Sequence, residues 1–313
     1  MAMNRPIIVD ANNWCFIQHH AFGDKLSHDE KLTGILWGFF HQIILIAQKF
    51  ESNRFIFCWD SRKNLRKIDY PRKVVVRDGQ RIIEGYKANR VTNDPDEDTQ
   101  EVFDQFNMLR EELLPEFGFK NILMQTGVEA DDIIASLVKN MHLKAAFGGE
   151  YERPLVVSTD KDLYQLLDHC DIWRSINKEL MTRKLFQEKY TIPPQDWVEV
   201  KALAGDTSDN IPGIKGVGEK TAIKYVRGEL DTKMWTANGK PTAYARIVSP
   251  KGLHTVERNH YLMTLPHPST KGVELAEGEV FDIDIFLDIC NRYGFQSFQT
   301  SEALAEWRGR FQM

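Results

Sequence analysis

The run Pro6-Ile7-Ile8-Val9-Asp10 decides the fold: a short apolar stretch ends on a carboxylate. The same arrangement recurs along the first half. Arg54–Trp59 is followed by Asp60, and Phe119–Gln125 by a glycine turn and then Glu129, Asp131 and Asp132. Leu155–Ser158 is followed by Asp160 and Asp162, and Asp171–Arg174 is a fifth run. Short apolar runs bounded by turn residues read as buried strands. Between the first two, a capping box of Ser27 and Glu30 opens a long helix. Leu32, Ile35, Leu36, Phe39, Phe40, Ile43, Ile44 and Ala47 recur along it at helical spacing. A second helix over Thr99–Phe117 buries Phe103, Phe106, Leu109 and Leu113. Strand–helix alternation implies an α/β layer with a mostly parallel sheet. In such a sheet the strand C-termini share one edge, so seven carboxylates converge there.

Each carboxylate alone has an ordinary explanation as a turn residue or helix cap. Asp131 and Asp132 also suit the positive end of a helix. Four successive strands delivering acid to one edge are not explained by capping. Such a cluster is unstable unless cations neutralise it. An all-oxygen donor set selects two Mg²⁺ or Mn²⁺ ions over zinc. Ions about 4 Å apart activate water and stabilise the leaving oxygen of a phosphodiester.

From about Thr182 the pattern turns helical. Arg183–Tyr190, Pro194–Ala204 and Glu219–Val226 read as short helices, and Asp282–Tyr293 and Ser301–Arg310 as the last two; Asp231–His254 is polar and uneven and takes no assignment. This divides the chain into a catalytic domain, 1–182, and a helical domain, 183–313. A further acidic pair, Asp206 and Asp209, lies in Gly205–Gly213 ahead of Gly213-Ile214-Lys215-Gly216-Val217-Gly218-Glu219-Lys220-Thr221. A P-loop needs Lys where Glu219 stands and a strand before the loop, and neither is present. The stretch reads instead as a helix–hairpin–helix over about 195–228. Backbone N–H groups of Gly213, Lys215, Gly216 and Gly218, with the following helix N-terminus, would grip DNA phosphates there without reading sequence.

The 313 residues are 42% hydrophobic and 27% charged, ordinary for a globular protein. No stretch is apolar enough to span a membrane and no signal core follows the N-terminus, which implies a cytoplasmic protein. Cys15, Cys58, Cys170 and Cys290 are scattered and read as buried free thiols. A net charge of −5 argues weakly against a nucleic-acid partner. Against that, Ser61–Arg90 carries ten Lys/Arg and three acids, a local excess of seven positive charges. Such a field is either a phosphate footprint or a solvated, mobile surface segment. Asn93–Asp104, with six acids and no base, reads as a hinge and helix start.

Ile8-Val9-Asp10, Phe57-Cys58-Trp59-Asp60, Gly85-Tyr86-Lys87-Ala88-Asn89-Arg90, Glu129-Ala130-Asp131-Asp132, Ser158-Thr159-Asp160-Lys161-Asp162 and Gly205–Thr221 together resemble the structure-specific 5′-nuclease (flap endonuclease) family. The likeness is nearest to bacteriophage 5′→3′ exonucleases and the 5′-nuclease domain of bacterial DNA polymerase I. Arg258-Asn259, Leu262 and Leu265-Pro266 resemble the end of that family's C-terminal domain. The resemblance implies a PIN-like sheet, a helical arch over about 61–100, and a helix–three-turn–helix holding K⁺ against duplex phosphate. It implies that Asp60, Glu129, Asp131 and Asp132 serve a first metal, with Asp10 close by. Asp160, Asp162, Asp206 and Asp209 would serve a second. Tyr86, Lys87 and Arg90 match the arch helix at the scissile phosphate, Lys87 and Arg90 as catalytic cations; Tyr86 either stacks on an unpaired base or, as a lone Tyr more often does, packs in the core. Lys201 and Lys220 match duplex contacts. One departure is Arg72–Gly85, longer than in the shortest relatives, which reads as a β-hairpin turning at Asp78-Gly79.

The implied substrates are DNA with a 5′ flap, nick or free 5′ end, and RNA primers in RNA/DNA hybrid. A monomer is expected. A DNA polymerase or single-strand-binding protein would act in trans, since no polymerase segment follows Met313. Two alternatives are weighed. A PIN-type ribonuclease or phosphatase would lack the hairpin and the Gly205–Asp209 acids. A non-catalytic junction binder would lack a carboxylate.

Overall fold

Six short strands form the central sheet of the computed structural model, which describes residues 5–77, 80–90, 97–140 and 153–312. They are β1 (Ile7–Asp10), β2 (Phe55–Trp59), β3 (Ile122–Met124), β4 (Leu155–Val157), β5 (Asp171–Arg174) and β6 (Glu179–Met181). The spatial order is β6-β5-β4-β1-β2-β3. The first five run parallel, and β6 turns back antiparallel on β5. The edge strand β6 was not anticipated, because three residues are too few for alternation to show.

Side chains alternate across the sheet. Ile7, Val9, Phe55, Phe57, Leu155 and Val157 face one core; Ile8, Ile56, Cys58, Val156 and Ile172 face the other. The first core is covered by helices Ala11–Phe22 and Gly34–Lys49, and by the last two helices of the chain, Ile283–Arg292 and Ser301–Phe311. The second is covered by Ala130–Lys139, Arg183–Tyr190, Trp197–Ala204 and Glu219–Val226. Burial on both faces explains why the strands read as unbroken apolar runs. All four cysteines are buried and free, as expected. No helix among the described residues is long and apolar enough to cross a membrane.

Several local expectations are corrected. Ser27 and Glu30 do not cap a helix. Ser27–His28 pairs with Lys31–Leu32, and Asp29 (φ 48°) and Glu30 (φ 64°) form the left-handed two-residue turn that such a ladder requires. The helix begins at Gly34. Ala11–Phe22, unforeseen, starts at the end of β1, where Asp10 accepts from the Asn13 amide at 3.0 Å. Phe103 is exposed, while Phe106, Leu109 and Leu113 are buried as expected. The unassigned stretch supplies helix Ala243–Ile247 and the start of helix Pro250–Met263. The hairpin is present as Lys73–Arg77 against Gln80–Glu84; its turn at Asp78-Gly79 lies outside the described residues, as does part of Asn93–Asp104. The arch helix expected at Tyr86–Arg90 is a run of turns, with Gly85 (φ 122°) and Lys87 (φ 51°) in left-handed backbone that a helix cannot contain.

The C-terminal helices return to the first core through aromatic contacts. The Trp307 ring meets Phe286 at 4.5 Å and Phe117 at 5.5 Å, and Phe311 meets Phe281 at 4.9 Å. Trp307→Ala should therefore destabilise the N-terminal sheet, by roughly 3–5 kcal/mol. Urea melts followed by circular dichroism check this; an unchanged midpoint would show that the last helix is dispensable to the core.

Candidate metal centre

The acids sit where the strands end. Asp10 closes β1 and Asp60 follows β2; Glu129 precedes helix Ala130–Lys139, and Asp160 follows β4. Asp206 and Asp209 arrive from the second half on a crossing of two chain segments, Gly205-Asp206 paired with Ile211-Pro212. That crossing needs glycine. A Cβ on Gly205 (φ 79°) would lie 2.2 Å from the Gly213 nitrogen, and one on Gly213 would lie 2.2 Å from the Ala204 carbonyl. The buried Asn259 amide fixes it, donating to Ala202 O at 2.8 Å and Pro212 O at 3.1 Å. Arg258, stacked 5.0 Å from the Tyr70 ring centre, donates to Pro212 O at 3.0 Å.

Neutral groups orient the first acids. Asp10 accepts from Ser158 Oγ at 2.9 Å, and Asp60 Oδ1 accepts from the Ala130 amide at 2.8 Å. Asn13 and Thr159 bond each other at 2.8 Å, tying helix Ala11–Phe22 to the end of β4. Burial, then the charges of Asp60 and Asp160, pushes Asp10 up to about 7. Burial and Asp160 push Asp162 up to about 7, and burial pushes Asp209 to about 6 despite Lys87. Asp60 is raised by burial and Glu129; Asp131 is raised well above the ordinary value by burial, Asp160, Asp10 and Glu129. These mutual influences join the acids of both halves of the chain into one cluster.

Two lysines partly neutralise it. Lys87 Nζ bonds Glu129 and lies 3.8 Å from Asp209 Oδ2; Arg90 reaches Asp209 Oδ1 at 3.1 Å. Lys87 and Arg90 thus converge on one acid although their segment is not helical. Burial would lower the Lys87 ammonium's pKa, but Glu129 and Asp209 reverse this and raise it. Glu129 is lowered, because Lys87 and Arg66 outweigh its burial. Lys201 Nζ bonds Asp206 and lies 2.8 Å from Asp162 Oδ1. Lys201, expected at duplex phosphate, bridges two acids of the cluster, as Lys87 does. Lys215 on the hairpin and Lys220 in the first turn of helix Glu219–Val226 are exposed.

Asp132, expected at the first metal, is held by the protein's own donors. Its Oδ1 accepts from Arg66 Nη2 at 2.7 Å and the His267 amide at 2.7 Å; its Oδ2 accepts from Arg66 Nη1 at 2.6 Å and the Glu129 amide at 3.0 Å. All four acceptor positions are filled. Of the two readings of Tyr86, core packing is the one the structure has. Its ring is buried with Tyr70, Ile211, Leu262 and Met263, and its hydroxyl donates to Glu129 Oε2 at 2.6 Å. Arg66, missed in sequence among a run of surface-like basic residues, is fully buried and also donates to Leu262 O at 2.8 Å.

The residues fit divalent ions. Among the described residues the Asp131 Oδ1 atom is buried without a hydrogen-bond partner, a position that suits a cation ligand. Among the described residues no three acids are already drawn into a coordination shell; the ammonium groups of Lys87 and Lys201 stand between them. Asp131 and Asp132 therefore have opposite roles. In EDTA, Asp132→Asn should cost about 3–5 kcal/mol by removing the two-bond partner of buried Arg66 and leaving it the longer 3.5 Å contact with Glu129. Asp131 has a folded pKa well above the ordinary 3.8, so its contribution to stability is lost as pH rises above that value toward the folded one. Asn has no such loss. The melting temperature of Asp131→Asn should gain on the wild type more at pH 8 than at pH 5, and a loss at both pH values would refute this reading of Asp131.

Comparison with known proteins agrees with this geometry. Residues 5–191 match the family model for the 5′-3′ exonuclease N-terminal resolvase-like domain, and residues 192–246 that for the 5′-3′ exonuclease C-terminal SAM fold. A 5′-3′ exonuclease of Buchnera aphidicola subsp. Schizaphis graminum is 32% identical over 69% of this chain and 68% of its own length. The fold is similar to that of the bacteriophage T5 D15 protein crystallised with metal ions, with a TM-score of 0.63 and 21% identity over 84% of this chain and 90% of that one. It is also similar to a T5 D15 flap endonuclease complex with DNA and metal ions, with a TM-score of 0.61 and 20% identity over the same shares. The chain belongs to the 5′-3′ exonuclease family.

Proposed function

We propose that this chain is a metal-dependent 5′→3′ exonuclease and flap endonuclease that hydrolyses phosphodiester bonds near 5′ ends of branched, nicked or duplex DNA and of RNA primers. The observation that carries the reading is that Lys87 and Lys201 bridge acids of both halves of the chain, Glu129 to Asp209 and Asp162 to Asp206, at the sheet edge where Asp131 Oδ1 is buried. The T5 structures, which hold metal ions and DNA on a similar fold, support it. Asp10, Asp60, Glu129 and Asp131 would hold one ion, and Asp160, Asp162, Asp206 and Asp209 the other. Their oxygen-only donors suit Mg²⁺ or Mn²⁺. When bound, such a pair stabilises both the attacking and the leaving oxygen of an in-line displacement.

The chain's own residues do the rest. Lys87, fixed between Glu129 and Asp209, offers a positive charge that is held before the phosphate arrives, which is what makes such a group effective against developing charge. Arg90 adds a second, more exposed cation. Tyr86 and Arg66 hold Glu129 in place from two sides, Arg66 Nη1 at 3.5 Å from Oε2. Away from the chemistry, Gly218 has open space where a side chain would stand, so duplex phosphate can approach the N-terminus of helix Glu219–Val226 beside Lys220. A K⁺ ion at the 213–218 hairpin belongs to the same reading.

A panel of 5′-labelled flap, nicked and blunt duplexes with Mg²⁺ or Mn²⁺ tests the activity. Cutting should occur with either ion, stop in EDTA, and fall severely in Asp209→Asn. Full cutting in EDTA would overturn the two-metal assignment. Chemistry and grip should separate as well. Lys87→Ala should slow single-turnover cleavage by ~10²-fold or more with little loss of binding. Lys220→Ala should weaken binding and lower the log–log salt slope by about 1, leaving saturated cleavage nearly unchanged. Equal slowing by both substitutions would mean that the two lysines do not have separate roles.

A further inference from the structure

Two turns meet beside the metal centre. The first, residues 85–88, carries Lys87 at φ 51° and is closed by the Ala88 amide, which donates to Gly85 O at 3.2 Å. The second, residues 207–210, carries Asp209 and is closed by the Asn210 amide, which donates to Thr207 O at 3.3 Å. The Lys87 amide donates across to Asp209 O at 2.8 Å. Asn210 adds a link from its side chain. The amide nitrogen donates to Gly85 O at 2.9 Å and to Ile83 O at 3.1 Å. It thereby fills the second acceptor position of the carbonyl that closes the Lys87 turn. Asn89 returns one bond, from its side-chain amide to Thr207 O at 3.2 Å. On its other side the Lys87 turn has no slack, since a Cβ on Gly85 would lie 2.6 Å from Pro71 O.

We infer that Asn210 is a positioning residue for cleavage: its side-chain amide holds the 85–88 turn against the acidic turn, so that the Lys87 ammonium stands between Glu129 and Asp209. The inference rests on the nuclease reading and adds to it a residue that acts through Lys87. A lysine ammonium ends a long flexible stem, so its place depends on how firmly the backbone beneath it is held. A charge stabilises a reacting phosphate best when it is fixed beforehand. Left-handed backbone is unfavourable for lysine, and the turn needs outside bonds to persist. Asn210 itself has φ 55°, a conformation that asparagine adopts more readily than most residues. That preference alone would account for an asparagine here, but glycine would meet it at least as well. It does not account for two bonds to the carbonyls just before Lys87. Substitution by glycine therefore separates the side chain's role from the backbone's.

The test uses the full chain, a 5′-flap junction and Mg²⁺. In single-turnover cleavage at saturating enzyme, Asn210→Gly should be slower than the wild type by about tenfold or more, because a small misplacement of a stabilising group is costly. Junction binding in Ca²⁺ should change little. In a Lys87→Ala background the same substitution should slow cleavage no further, since residues that act as one unit do not add. Equal slowing in both backgrounds overturns the inference and assigns Asn210 to the fold of the acidic turn. A wild-type rate in Asn210→Gly overturns it too. Asn210→Asp keeps the outline and loses the donor; it runs through the same cycle and decides the matter if the glycine variant does not fold. Hydrogen exchange of the metal-free chain gives a readout apart from cleavage. The Lys87 and Ala88 amides should exchange faster in Asn210→Gly, and exchange equal to the wild type's overturns the inference. A wild type that cuts no flap, nicked or blunt substrate, alongside faster exchange in Asn210→Gly, keeps the held turn and rejects the nuclease reading.

Discussion

Carboxylates gathered on one sheet edge repel one another, and the structure is arranged around the cations that answer them. Arg66, Lys87 and Lys201 come from three separate segments, and each bridges acids of the cluster. Arg66 is the most committed. It holds Asp132 with two bonds and reaches Leu262 O, so one buried side chain fastens the basic segment, the helix after the third strand and the C-terminal half together. Breaking a desolvated pair of this kind leaves a buried charge with the weaker 3.5 Å contact to Glu129 in its place. Asp132 is therefore tied to the placement of Glu129, through the reciprocal bond at the start of helix Ala130–Lys139. Metal affinity and fold stability pull against each other here. Asp10 and Asp131 bear the repulsion most, raised by burial and by neighbouring acids, whereas Asp132, the acid that stabilises the fold, is fully paired.

Position along the sheet was legible in the sequence; pairing across the chain was not. An apolar run ending in Asp is a local pattern, and it was enough to place Asp10, Asp60 and Asp160 on one edge. The hairpin was readable from alternation on either side of Asp78-Gly79 for the same reason. Arg66 carried no local signal, since its partner carbonyl is at Leu262 and its neighbours Lys63 and Lys67 make the segment look like surface. Tyr86 stood between base stacking and core packing in the sequence, because Ile211, Leu262 and Met263 come beside it only in the folded chain. Lys201 stands on a helix five residues before Asp206, so its contact with that acid was within reach of sequence reading; its contact with Asp162 was not. Helix Ala11–Phe22 was hidden by Asn12, Asn13, His19 and His20, weak helix formers that packing overrides.

The turns at Tyr86–Arg90 show how a short-range expectation can fail while its consequence survives. Three-residue spacing on a helix would bring Lys87 and Arg90 together. The chain instead uses left-handed backbone at Lys87, fixed by its amide bond to Asp209 O, and both cations still reach Asp209. The common acceptor, more than the secondary structure, sets where they end.

Net charge is a poor guide to partner for the same structural reason. The chain carries −5 overall, yet Asp10, Glu129 and Asp132 are buried at the sheet edge, while Lys215, Lys220, Arg72, Lys73, Arg81 and Arg90 are exposed. Acids turned inward present their field to ions that enter the cluster, and cations turned outward present theirs to a polyanion within a Debye length of about 8–10 Å. A phosphate backbone drawn to the outer cations is thereby led to a centre that would repel it without metal. Attraction at the surface and repulsion within make ion loading the condition on which the buried acids can meet a phosphodiester at all.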